Sequence, residues 1–240
     1  MKAKGQQRRV HQNLLKLEYK GYPIRGGLLV YINQVHKILN KLGKSTTLED
    51  SCIKENVAPY ENFYILKKDK DKWVYGLFMV ERQNNPYLEI TKEFDTKVEG
   101  AKHFLLDRLS SFYFLEKFQL FVIEHEELDL GGPTFDHSKL FKAMSILGIP
   151  ASLFALGQSQ VKNRAIMLEK EDETSSIVSF VNDKGNVIQS TVAIQNQRAL
   201  FIAFKKVYLL YQFENEVKNL LETEGIANIF SEGDINTFLS

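Results

Sequence analysis

Apolar and polar positions change period several times along this chain, and each change marks an element. Phe63 to Leu66 is a short apolar run, Lys67 to Lys72 a lysine/aspartate turn, and Trp73 to Val80 alternates apolar with other residues. That is the pattern of a half-buried hairpin. A polar connection follows. From Asp95 the period lengthens: Val98, Ala101, Phe104, Leu105, Leu109, Phe112 and Tyr113 recur at helical spacing, which predicts an amphipathic helix packed back on the hairpin. Upstream, Leu28 to Leu42 predicts a helix with the stripe Leu28, Ile32, Val35, Leu39 and Leu42, closed by Gly43. Downstream, the continuous apolar run Phe118 to Ile123 predicts a short buried strand.

The same sequence of periods then returns. Ser138 to Leu147 predicts a helix, Asn163 to Leu168 a strand, Glu169 to Glu173 a charged turn and Ile177 to Val181 the returning strand. Asn182 to Asn186 is turn-rich, Val187 to Ile194 predicts a third strand, and Gln197 to Leu221 a long helix. The tail from Ile226 to Leu239 predicts a last short helix capped by Asp234. Local matches link the halves: KILNKLG at 37–43 with KAMSILG at 142–148, and NFYILKKDKD at 62–71 with NRAIMLEKED at 163–172. The expected fold class is therefore α+β. It has antiparallel sheets with helices packed on one face, in a tandem duplication of an α-β-β-(β)-α unit. The expected divisions are a basic N-terminal segment (1–27), a first repeat (28–123), an acidic linker loop (124–137) and a second repeat (138–240).

Charge refines this picture. The formal net charge of +1 gives no general case for nucleic acid or an anionic membrane, but its distribution is uneven. Residues 1–27 hold seven Lys or Arg against Glu18, and the segment reads as a solvated terminus. No apolar run reaches the ~18 residues of a membrane span, and no apolar stretch follows the basic start as a secretory signal requires. The lone Cys52 excludes an internal disulfide, fits a reducing cytoplasm, and lacks the glycine or histidine context of a nucleophile. His36 sits on the polar margin of its helix without a partner at ligand spacing.

Carboxylates and histidines gather in one place: Glu124, His125, Glu126, Glu127, Asp129, Asp136 and His137. His125, His137 and the acids are the right types for a metal or acid/base site. Their spacing matches no HExxH-like pattern, and Gly131-Gly132 belongs to no phosphate-binding loop. The favoured reading is an acidic interaction or linker loop.

The opening hairpin and helix carry a resemblance. The return strand opens on Trp73 and Tyr75 and closes on Glu81 and Arg82; Phe94-Asp95-Thr96 then leads into a helix with Ala101, Phe104, Leu105 and Leu109. This resembles bacterial polymorphic-toxin immunity proteins, whose corresponding alanine comes one residue earlier. No Phe-Asp pair precedes Gln197, so the second half departs from that pattern. The resemblance implies a cytoplasmic bacterial protein that binds a cognate toxin domain and blocks its active site. It implies no catalytic residue, cofactor or metal. Toxin clefts for nucleic acid or dinucleotide phosphates are basic, which makes Glu124, Glu126, Glu127, Asp129 and Asp136 the first candidate contact. The alternative is a non-enzymatic interaction or scaffold protein of a phage or bacterial defence system. An enzyme using His125 and His137, or a nucleic-acid module using the basic terminus, is the third.

Overall fold

The hairpin read between Phe63 and Val80 is the centre of the first half. The structure, a computed structural model, describes residues 30–80, 85–158, 164–226 and 230–240. The basic segment 1–27 lies outside the described residues, as do Leu28, Glu81, Arg82 and Asn163. Helix α1 (Ile32–Lys41) buries Ile32, Val35, Ile38 and Leu39. A five-stranded antiparallel sheet follows in sequence order: β1 (Thr46–Glu49), β2 (Cys52–Glu55), β3 (Phe63–Asp69), β4 (Lys72–Met79) and β5 (Tyr87–Phe94).

Three readings are corrected here. The charged turn is only Lys70-Asp71, with Lys70 in the left-handed region (φ 53°), so the strand runs on through Lys67 to Asp69. The mixed stretch before the hairpin holds the β1–β2 pair, and the polar connection after it is strand β5. Most of β5 is exposed, so pairing with β4 defines it and no apolar alternation could. Gly76 sits where that pairing shifts register, and a Cβ there would overlap the Glu89 carbonyl oxygen.

Helix α2 (Lys97–Phe112) starts on a capping box: Thr96 Oγ1 accepts from Glu99 N at 3.2 Å, while the Glu99 carboxylate accepts from Thr96 N at 3.3 Å. It packs on β3, β4 and β5. The helix lies close on the sheet at Gly100, where a Cβ would come within 2.8 Å of Leu66 Cδ1. The helix does not end at Phe112. It continues through a π-helical stretch, Tyr113–Phe118, into α3 (Gln119–Glu124). The strand expected at Phe118–Ile123 is therefore helical. A six-residue apolar run has no period of its own to tell the two apart.

In the second half α4 (His137–Ile146) is capped by Asp136. Strands β6 (Phe154–Leu156), β7 (Ala165–Lys170), β8 (Ser175–Val181), β9 (Val187–Ser190) and β10 (Ile194–Gln195) form a mixed sheet. β6 runs parallel to β7, whereas β9 and β10 are two pieces of a broken strand along one edge of β8. Helix α5 (Asn196–Gln212) covers β7 and β8, then passes through its own π-helical stretch, Phe213–Val217, into α6 (Lys218–Thr223). In α7 (Glu232–Phe238) the cap is Ser231, with Asp234 completing the box three residues on. The α+β class is as expected. The tandem duplication is not confirmed: each sheet is followed by a long helix with a π-helical stretch, but one sheet is a pure meander, the other holds a parallel pair, and α7 has no counterpart among the described residues of the first half.

One hydrophobic core runs from Val30 to Leu239 and spans both halves. Its seam is aromatic. The Phe118 ring lies 5.2 Å from Tyr208, 5.4 Å from Phe204 and 6.0 Å from Phe201, and Phe238 joins Tyr113 to Phe213 at 6.0 and 5.4 Å. Glu224 ties the halves again at the surface, accepting from Lys37 at 2.6 Å and Lys41 at 2.8 Å.

Candidate functional site

The acid-rich segment 124–137 is a folded loop, and its five acids divide by what they do. Glu124 is the last residue of α3, and Glu126–Leu128 form a single 3₁₀ turn. Asp129 follows in the left-handed region (φ 51°) and folds the loop onto itself. Its Oδ2 accepts from Thr134 N at 2.7 Å and Thr134 Oγ1 at 2.6 Å. Those bonds hold its carboxyl below the usual carboxylate range. Gly132 is required beside it, since a Cβ would overlap the Asp129 carboxylate. Gln197, in the first turn of α5, donates to the carbonyl of Gly132 and, at 2.9 Å, to that of Phe135. Leu128 and Phe135 are buried underneath. Asp136 accepts from Lys139 N at 2.9 Å and so begins α4.

Asp129 and Asp136 therefore hold the loop in shape as well as carrying charge. Glu124, Glu126 and Glu127 are exposed, and among the described residues their side chains join no ion pair or hydrogen bond. The loop presents them from a fixed base.

The histidines do not come together as a site. His125 stacks on the Phe121 ring at 4.3 Å, with Nδ1 3.1 Å from the Phe121 carbonyl oxygen. His137 starts α4 at the rim of a cavity of about 560 Å³, which also takes in Leu168, Glu169, Lys170 and Ser176 at the ends of β7 and β8. His36 lies 2.8 Å from Thr46 Oγ1. Among the described residues no group of three or more His, Cys, Asp or Glu could hold a metal ion. Nor is any helix there long and apolar enough to cross a membrane.

Two features escaped the sequence reading. The first is an exposed apolar row on the helix leading into the acids: Leu115, Leu120 and Ile123. Reading Phe118–Ile123 as a buried strand hid it, because only in a helix do Phe118 and Phe121 turn inward while Leu120 and Ile123 turn out. The second is a polar cluster between β2–β4 and α2. Arg108 lies 3.6 Å over the Tyr64 ring and donates to Glu55 at 2.9 Å and to Asp107, which also accepts from the Tyr75 hydroxyl. Burial works against the guanidinium charge there, but Tyr75, Asp107 and Glu55 raise its pKa, while burial first and Asp107 next push the Tyr75 phenol up. His103, edge-on to Tyr75 at 4.9 Å, is lowered to about 4, chiefly by burial and then by Lys92. Each charged member finds its partner inside the cluster, so this network braces the sheet against the helix.

Compared with protein-family models, with curated proteins and with solved structures, the chain matches none.

Proposed function

We propose that this chain is an immunity protein: it binds a cognate bacterial toxin domain in the cytoplasm of the producing cell and neutralises it by covering its active site. The observation that carries this reading is the set of three exposed carboxylates, Glu124, Glu126 and Glu127, which have no partner among the described residues and stand at a helix end and on the loop that follows it, braced from two further helices. A preorganised acidic surface suits a cleft that binds phosphates, and it steers encounter with a basic partner. The resemblance of the Trp73 hairpin and its helix to immunity proteins points the same way. Inhibition of this kind requires a fixed surface and no chemistry on this chain.

The test is co-expression with the product of the adjoining reading frame that carries a secretion domain and a variable C-terminal domain. The expected result is rescue of cells that this product otherwise kills, together with co-purification. Binding without rescue would favour a scaffold role in a phage or defence system. Neither binding nor rescue would end the immunity reading.

A further inference from the structure

The helix that delivers the acids carries an apolar row on its outward side. Leu115 is 45% exposed, Leu120 51% and Ile123 65%. Their spacing is five residues across the π-helical stretch and three along α3, which sets them along one side of the rod, away from the buried Phe118 and Phe121. Single exposed leucines call for no explanation. Here three share a face that runs directly into Glu124, Glu126 and Glu127. An apolar centre with a charged rim is the anatomy of a recognition surface.

We propose that Leu115, Leu120 and Ile123 are the anchors of the interface, and that they enter an apolar pocket on the toxin domain rimmed by its Lys or Arg side chains. Charge selects this occupant. Between Tyr113 and Ser138 the chain has six acids against Lys117 alone, and Glu116 is engaged with Lys44 at 2.8 Å. A second copy of this chain does not fit, because a two-fold contact through this face would set acids against acids. The inference rests on the immunity reading and adds a division of labour. The apolar row sets how long the complex lasts; the carboxylates set how fast it forms.

Binding kinetics of the full chain with a catalytically dead toxin domain from the adjoining reading frame test this. Leu120→Asp/Ile123→Asp should weaken binding about 100-fold, mainly through faster dissociation, and abolish rescue. Ile146→Asp alters an apolar residue on α4 that is exposed to a similar degree, 47%, and should change affinity less than about threefold. Glu124→Lys/Glu126→Lys/Glu127→Lys should slow association about tenfold at low salt and remove its salt dependence. Circular dichroism melts should place all three variants within a few degrees of wild type, as substitutions at exposed positions allow. Wild-type affinity in the Leu120/Ile123 variant, with rescue intact, would overturn the inference and leave the immunity reading standing. So would sedimentation showing a homodimer that this variant dissolves. Loss of rescue by wild type itself strikes at the immunity reading instead.

Discussion

Asp129, a candidate contact in the sequence, also has a role in shaping the fold. Its carboxylate is occupied by Thr134, its backbone takes the left-handed turn, and Gly132 leaves it room. Gly132→Ala should lower stability by about 1–3 kcal/mol through overpacking alone, read as a shift in a urea midpoint. Arg108 is the most buried cation among the described ion pairs. Arg108→Lys keeps the charge but loses the flat stack on Tyr64 and the fork to Glu55 and Asp107. It should cost about 1.5–3 kcal/mol, the range for losing hydrogen bonds to charged partners while the charge itself is kept. His103 gives a pH signature. The unfolded chain takes up its proton near the ordinary 6.5, the folded chain only near 4. Stability should therefore fall as pH drops from about 6.5 to about 4, and His103→Phe should flatten that part of the curve. Lys92 and Arg108 oppose the charged imidazole, while Asp107 and Asp234 favour it. Lys92→Met should accordingly shift the step toward neutral pH.

Among the elements, the two long helices with π-helical stretches are the least expected and the most consequential. In the first, the stretch Tyr113–Phe118 brings Phe118 and Phe121 onto the aromatic seam and leaves Leu115, Leu120 and Ile123 outside. Phe118→Ala should destabilise by about 3–5 kcal/mol, whereas Leu120→Ala two residues away should change stability by less than about 0.5 kcal/mol; paired chemical denaturation measures both. Had Phe118–Ile123 been the buried strand its composition suggests, the two substitutions would cost alike. The elements with a clear period were legible: α1, β3, β4, α2, α4, β7, β8 and α5 stand near where their apolar spacing put them. Strand β5 was not, because it is exposed on most of its length and hydrogen bonds to β4 leave no mark on composition. The three residues of β6 were too few to show a period. The acidic loop was visible as a concentration of charge. Which of its acids have a partner among the described residues was not, since that depends on Thr134 and on two helix termini arriving in space.

At the scale of the whole molecule, the decisive fact is the continuous core. Tyr113, Phe118 and Phe121 from the first half pack with Phe204, Tyr208, Phe213 and Phe238 from the second, so each half alone would expose this seam. Expressed apart, residues 30–123 and 138–240 should fail to give cooperative melts, while the full chain should unfold in one calorimetric transition. The order of elements in the sequence suggested two units; the shared seam predicts that they unfold together.

Gln197 has a reach beyond its two hydrogen bonds. It grips the acidic loop from the first turn of α5, which lies on the second sheet. If the proposed partner seats on the loop, amide protons at the start of α5 should exchange more slowly in the complex, and Gln197→Ala should erase the effect. Engagement at one end of the molecule would be recorded, residue by residue, on the far side of the seam.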